Sequence, residues 1–281
     1  MGLFGLFGSG SRRAGAPLFA GTPAPLRFVL DGVAHTYDDG HVGLRPTSLE
    51  IAERRVAVIG LNGSGKTTLL QLLDGAITPT AGTVRIAQQA PEDHEAVTLS
   101  HTLDPTVKAD RREMERVIGR VRREELPDSF YRAATVTDAL IEPLKKLKVK
   151  DAERFAIVRN LLGSFNLSGV ASQPASRLSG EQRHLLAVVA ALVTDPACVV
   201  ADEPTKGLDE PSAAHVSRTL FGFDRQLIIV THDLDVVRDP KNAIERVIVL
   251  DEGAVAFDGR PAEAVDAYEA LIRRRLAAMR G

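Results

Sequence analysis

The chain has a single cysteine, Cys198, and no tryptophan. One thiol excludes an internal disulfide framework and any zinc site built on cysteines. Cys198 lies in the apolar run from Ala197 to Ala201, so it is expected to be a small buried hydrophobe. Long hydrophobic stretches are missing too. None reaches the ~18 uncharged apolar residues of a spanning helix, and the best candidate, Leu185 to Val193, is soon stopped by Asp195-Pro196. Work at a membrane would need another chain to hold this one there. The formal net charge is only −2, from 35 Lys and Arg against 37 Asp and Glu, which gives no bulk attraction for nucleic acid. No internal repeat is visible, so any site built by a motif occurs once.

What is present fits one large domain carrying an inserted lobe, since 281 residues are enough to bury a sizeable core. Residues 1–25 are expected to be a disordered tail. Arg12-Arg13 is followed by too short a segment for twin-arginine export, broken by Pro17, Pro23 and Pro25, and Leu6 stands where myristoylation wants Ser or Thr. The fold is expected over 26–281. Leu26–Leu30 and Gly32–Tyr37 read as two short strands split by a turn at Asp31-Gly32, with a second turn at Asp38-Asp39-Gly40. Thr47–Ile51, Arg55–Gly60, Ala197–Ala201, Leu227–Val230, Val247–Leu250 and Ala254–Phe257 read as further strands. From Gln88 to about Val107 the polar, acidic composition predicts a solvated loop. Helical spacing with many charges over Thr135–Arg177 predicts a helical lobe, with boundaries at about 125–190. The basic run Leu271–Leu276 is expected to be a solvated helix face.

Gly60-Leu-Asn-Gly-Ser-Gly-Lys66-Thr67 matches G-x-x-x-x-G-K-[ST] at every position, between a predicted strand and a predicted helix. Gly60, Gly63 and Gly65 let backbone N–H groups curl toward an anion, and the helix that follows directs its positive end at the same point. Lys66 would reach the β- and γ-phosphates and the Thr67 hydroxyl would ligate Mg²⁺. An accidental glycine-rich turn would not come with that flanking order. An Asn-Lys-x-Asp guanine reader is lacking, which favours ATP.

Val199-Val-Ala-Asp202-Glu203 is an apolar strand ending in two carboxylates, at the sheet edge where ligands bind in α/β folds. Asp202 would hold Mg²⁺ and Glu203 would orient and polarise the attacking water. A plain solvated turn is the competing reading of Asp-Glu-Pro. Leu227–Val230 followed by Thr231-His232 repeats the design, and His232 would contact the γ-phosphate and position that water. In Leu178-Ser-Gly-Glu-Gln182, Ser179 is a natural N-cap and Gln182 completes a capping box. A well-capped helix alone would satisfy that pattern, but it also makes a second anion site in a chain already holding one.

With these motifs in this order, the chain resembles the ABC ATPase family over nearly its whole folded length. The resemblance implies a P-loop RecA-like α/β core, an antiparallel β subdomain and an inserted α-helical subdomain. It identifies Gly60, Leu61, Asn62, Gly63, Ser64, Gly65, Lys66, Thr67 and Thr68 as the nucleotide loop. Ser179, Gly180 and Gln182 belong to the family signature, Asp202 and Glu203 to the metal and water site, Lys206–Asp209 to the D-loop, and His232 is the switch histidine. Tyr37 stands where an aromatic stacks on adenine. It further implies ATP and Mg²⁺ as ligands and a head-to-tail pairing with a second ATPase subunit, the same or different. In that pairing Ser179 and Gly180 of one subunit cap the γ-phosphate held by Lys66 of the other. Transmembrane transporter subunits and a place in the cytoplasm against the inner face of the membrane follow, with no nucleic-acid partner.

Two positions depart from the family pattern. Glu181 stands where the family usually has Gly, which is unfavourable near phosphate unless the carboxylate turns away. The resemblance implies a loop at Val117–Asp128 joining the core to the helical lobe, and the Gln that ligates Mg²⁺ there in the family is missing. Counting from Gly119 puts Arg123 there, and counting back from Thr135 puts Glu125 there, and only Glu125 offers a metal ligand. Around the loop, Glu53–Lys66 is similar to the energy-coupling-factor importers of vitamins and transition metals, biotin-uptake ATPases among them. A soluble ABC ATPase acting on ribosomes or DNA, or a low-turnover nucleotide-dependent regulator, are the alternatives. One phosphate loop, no sustained heptads and one cysteine speak against the soluble machines.

Overall fold

The computed structural model describes residues 25–88, 102–122 and 126–278. In chain order the elements are β1 (Leu26–Thr36), β2 (Val42–Ile51), β3 (Arg55–Gly60), α1 (Lys66–Leu73), β4 (Ala81–Gln88), α2 (Lys108–Val117), β5 (Ile118–Arg122), α3 (Asp128–Arg132), α4 (Val136–Lys146) and α5 (Asp151–Ser164). There follow α6 (Gly180–Leu192), β6 (Cys198–Asp202), α7 (Glu210–Phe221), β7 (Gln226–Val230), α8 (Leu234–Arg238), β8 (Arg246–Asp251), β9 (Ala254–Gly259) and α9 (Pro261–Ala278). They fall into two compact units, one of residues 116–225 and one formed by the segments on either side of it. The expected tail, residues 1–24 of it, and most of the expected acidic loop lie outside the described residues.

The discontinuous unit carries two sheets. One is antiparallel in the order β2-β1-β4. The other sets β7, β3 and β8 side by side in parallel, with β9 antiparallel on the outside of β8. Val56, Ala57, Val58 and Ile59 of β3 are fully buried, as a strand covered on both faces requires. Leu69, Leu70, Leu72 and Leu73 give α1 its buried face, each contributing about 1.5–3 kcal/mol. The helix ends at Asp74, and Gly75 follows with φ +70°, the left-handed stop the sequence signals. On α9, Val265, Tyr268 and Leu271 are buried, and the helix packs on β8 and β9. Arg273 and Arg274 of the basic run are exposed as expected, whereas Arg275 pairs with Asp251 and Glu252.

Three expectations need correction in this unit. Leu26–Thr36 is one bulged strand and not two, because the Asp31-Gly32 turn is an extra residue taken up inside the ladder. The register slips between Leu30 and Val33, and Gly32, at φ +57°, donates to Ser48 Oγ. β4 is a strand beyond those the sequence signals, with Val84, Ile86 and Gln88 alternating inward along it. The end of the acidic loop is not plainly solvated either. Leu103 is fully buried and exchanges both backbone hydrogen bonds with Ile86.

The unit of residues 116–225 pairs β5 with β6 in parallel, from Ile118 opposite Cys198 to Arg122 opposite Asp202. This corrects the connecting loop: its first part is a strand. α6 packs on β5 so closely that a Cβ on Gly119 would run into the Ala191 carbonyl oxygen. α3 packs on α4, α4 on α5 and α5 on α6, forming the helical segment the charge pattern predicts, with Leu140, Leu144, Leu161, Leu162 and Phe165 buried. Thr135 caps α4 by accepting from the Asp138 N–H. Cys198 is buried, as its apolar neighbours require. Arg123 and Glu125, the alternatives for the missing Gln, lie outside the described residues. Among the described residues, no helix is long and apolar enough to cross a membrane.

Candidate functional site

In the discontinuous unit the loop from Gly60 to Gly65 joins β3 to α1. Gly60, Gly63 and Gly65 all have positive φ, at +155°, +75° and +97°. At Gly60 a Cβ would strike the Leu250 carbonyl of the neighbouring strand, and at Gly65 it would strike the Gly43 carbonyl at the start of β2. Only glycine lets the loop pass between those two strands. A backbone belt holds it there: Gly253 donates to the Ser64 carbonyl at 3.1 Å, and Arg45 donates to the Gly253 carbonyl at 2.7 Å.

Gly65 sits at the N-cap of α1, and its position takes no side-chain cap among the described residues. A glycine at this place has no side chain with which to cap the helix it opens. Lys66 follows, largely buried, and its ammonium donates to the carbonyls of Gly60 at 2.9 Å and Leu61 at 2.7 Å. The cation therefore lies inside the loop's own curve. The Ser64 hydroxyl is buried there without a hydrogen-bond partner among the described residues, which is unusual for a polar atom. Thr67 is exposed on the first turn, while Thr68 faces inward.

Tyr37 ends the β1 arm beside the same helix. Its hydroxyl is 2.9 Å from Thr68 Oγ1 and 3.4 Å from Gln71 Oε1. The ring meets His35 edge-on, with centroids 4.6 Å apart, and lies within 18° of parallel to His41 at 6.1 Å. Gly43 makes this fit possible, since a Cβ there would sit 2.6 Å from both Tyr37 Cε2 and Thr68 Oγ1. His232 leaves β7 next to β3. Val58 is opposite Val230, so two residues on, Gly60 and His232 emerge at the same level from neighbouring parallel strands. Thr231 Oγ1 accepts from the Asp233 N–H, and Asp233 caps α8, which fixes the chain on the far side of His232. The unit thus brings Tyr37, Gly60–Thr68 and His232 to one edge.

The unit of residues 116–225 holds the other predicted residues. Asp202 is the last residue of β6, and Glu203 follows with φ +49°, a left-handed conformation that costs a non-glycine residue about 1–3 kcal/mol. Its carboxylate is mostly buried and 3.7 Å from the Lys206 ammonium, while its carbonyl accepts from the Lys206 N–H. Nothing in the residue types announces that strain. At the start of α6 the capping box forms in full: Gln182 N–H donates to Ser179 Oγ at 3.1 Å, and Ser179 N–H donates to Gln182 Oε1 at 3.0 Å. Glu181 is exposed and turned onto α7, where it accepts from Ser212 Oγ at 2.9 Å. Asp209 caps α7. Its carboxyl is held below the usual range by the Ser212 hydroxyl first and the Ser212 N–H second.

Comparison with known proteins follows this geometry. Residues 44–206 match the family described as ABC transporter. A putative ABC transporter ATP-binding protein of Deinococcus radiodurans is 37% identical over 239 residues, 85% of this chain and 96% of that protein. The biotin transport ATP-binding protein BioM of Rhizobium etli is 32% identical, covering 88% of this chain and 98% of its own length. Among solved structures, the dimeric post-hydrolysis state of the ATP-binding cassette MJ0796, bound to ADP and Pi, superposes with a TM-score of 0.67 at 26% identity. It covers 83% of this chain and 98% of that one. The structure of cbiO1 from Clostridium perfringens, part of the ABC transporter complex cbiONQ, gives 0.62 at 27% identity over 88% of this chain and 93% of its own.

Proposed function

The chain belongs to the ABC transporter family, and on that premise we propose that it powers an energy-coupling-factor importer of a vitamin such as biotin or of a metal ion. It binds ATP with Mg²⁺ and hydrolyses the ATP, as the subunits of this family do. The observation that carries the reading is the phosphate loop, where three left-handed glycines, a helix start without a side-chain cap and the Lys66 ammonium meet at one edge. That is a preorganised anion cradle. The likeness to a biotin transport subunit and to a subunit of cbiONQ supports the importer class.

In this reading Lys66 exchanges its two loop carbonyls for β- and γ-phosphate oxygens, and the buried Ser64 hydroxyl gains a partner inside the loaded loop. Tyr37, anchored through Thr68 to α1, offers its ring to the adenine. Thr67, Asp202 and Glu125 each carry an oxygen of the kind Mg²⁺ takes, and the ion completes its shell with phosphate and water. Thr67 and Asp202 would hold it, with Glu125 as a further ligand, and the ion would neutralise charge on the phosphates. Glu203, held in a strained backbone, orients the water, and His232 steadies the γ-phosphate from the end of β7. The Ser179 hydroxyl accepts from Gln182 but keeps its own hydrogen to donate. It is the group that reaches the γ-phosphate of a second ATPase subunit in a head-to-tail pair. The helical portion, about 125–190, would face transmembrane subunits at the inner surface of the membrane.

Two measurements test the proposal. Purified chain should hydrolyse ATP, and Glu203→Gln should lower turnover by about 100-fold or more while ATP binding persists. Equal rates for the two would remove the assignment of Glu203. Isolation of the chain from its native membranes should bring transmembrane subunits with it. Recovery with ribosomes or DNA instead would overturn the importer reading.

A further inference from the structure

The first turns of α6 and α7 are joined by one side-chain hydrogen bond. Ser212 Oγ donates to Glu181 Oε1 over 2.9 Å. Glu181 is the second residue of α6, directly after Ser179-Gly180, and Ser212 is the third residue of α7. Neither helix needs this bond for its own closure. The capping box of Ser179 and Gln182 completes α6, and Asp209 Oδ1 accepts from the Ser212 N–H at 2.8 Å to complete α7. The contact is surplus to both helices, and its effect is to connect them.

Its electrostatics explain how an acidic residue is tolerated beside an anion site. The Glu181 carboxylate lies in the first turn of one helix and is bonded to the first turn of the other, and a helix start favours negative charge. Held on Ser212, the charge is directed onto α7. The Ser212 hydroxyl thus lies between two carboxylates, Glu181 and the α7 cap Asp209, and its single hydrogen serves one of them at a time, while the Ser212 N–H stays on Asp209. A glycine at position 181 would have no group to make the link.

We propose that Glu181 is a positioning residue whose bond to Ser212 makes the Ser179–Gly180 end of α6 and the Asp209 end of α7 present to the paired ATP site as one piece. This inference rests on the head-to-tail reading of Ser179 proposed above. The departure at position 181 is then a replacement of freedom by a latch, and the two helix starts approach a neighbouring subunit together.

The test uses the full chain and three substitutions. Ser212→Ala removes the donor, and with it the hydroxyl contact to Asp209, while leaving the Ser212 N–H bond to Asp209 Oδ1 in place. Glu181→Gly removes the acceptor, and Glu181→Gln keeps an acceptor oxygen without the charge. Ser212→Ala and Glu181→Gly should each lower kcat, and ATP-driven pairing in a Glu203→Gln background, by about 3- to 10-fold, the size of one hydrogen bond. ATP binding by the single chain, read with a fluorescent ATP analogue, should not change, because the Lys66 loop is untouched. Glu181→Gln should keep at least half of the wild-type kcat, and the double variant Glu181→Gly with Ser212→Ala should be no worse than either single change. Wild-type turnover and pairing in Ser212→Ala and Glu181→Gly would overturn the inference. So would a Glu181→Gln as impaired as Glu181→Gly, or losses that multiply in the double variant. A wild-type chain that neither pairs nor hydrolyses ATP would overturn this inference and the proposed function together.

Discussion

Two helix starts in this protein face the same chemical problem and solve it in opposite ways. α1 begins at Gly65, with no side-chain cap among the described residues and with a lysine in its first turn. α6 begins at Ser179, with a complete capping box and an acidic residue in its first turn. A helix start that recruits no side chain has to satisfy its N–H groups elsewhere, and a start with its own cap is stable before any ligand arrives. In the function proposed above, the first is a dedicated cradle. The second is a finished structural element with one hydroxyl hydrogen to lend. On that proposal the chain binds nucleotide with one and senses a neighbour's nucleotide with the other.

The sharpest way to break this contrast is Gly65→Ala. The added methyl meets the Gly43 carbonyl at a backbone angle that alanine disfavours. ATP binding measured by titration should fall by about 100-fold or more, the combined size of ~1–3 kcal/mol of strain and a displaced loop. Ordinary affinity would show that the curl of the loop is not what binds. At the other helix, Ser179→Ala should leave that affinity alone. It should cost about 1 kcal/mol of stability in a denaturant titration, as a lost cap does, and lower turnover by about tenfold. If single-chain ATP affinity fell as well, the division of labour between the two helices would be wrong.

Smaller effects sharpen the picture further. Tyr37→Phe removes the bond to Thr68 but keeps the ring, so ATP affinity should weaken by about threefold or less. A much larger loss would make the hydroxyl, and not the ring, the useful part. The smallest effect concerns acid. Asp209 titrates below its ordinary range in the folded chain, so its cap adds stability above about pH 3.9 that disappears as pH falls through the lowered value. Asp209→Asn should flatten that part of the stability profile below about pH 4 and leave neutral pH nearly unchanged. An unaltered acid limb would show that the cap plays no part.

Legibility followed the range of the interactions. The phosphate loop, β3, β6, β7 and the Ser179–Gln182 box are written in contiguous residues, and each reads out where it folds. β5 did not, because Gly119, Arg120 and Arg122 dilute its apolar residues, and only pairing with β6 makes them a strand. β1 was divided for a similar reason, since Asp31-Gly32 has turn composition and the ladder absorbs it as a bulge. The candidate site shows the same limit. The residue types of Asp202, Glu203 and His232 were plain, but the left-handed backbone of Glu203 and the hold of Ser212 on Glu181 are products of tertiary packing. Those two features carry the mechanical proposals, and no local pattern contains them.

Gln226 shows what such long-range dependence means for the life of the chain. Its buried amide donates to the carbonyls of Leu26 and Glu53 and accepts from the Leu26 N–H, each at 3.0 Å. The first residue of β1 is thereby secured by a side chain 200 positions later. A ribosome adding about 5–20 residues per second makes Leu26 roughly 10–40 s before its partner exists. During that interval the opening strand can lean on β2 and β4 alone, and its outer end stays loose until Gln226 has been made.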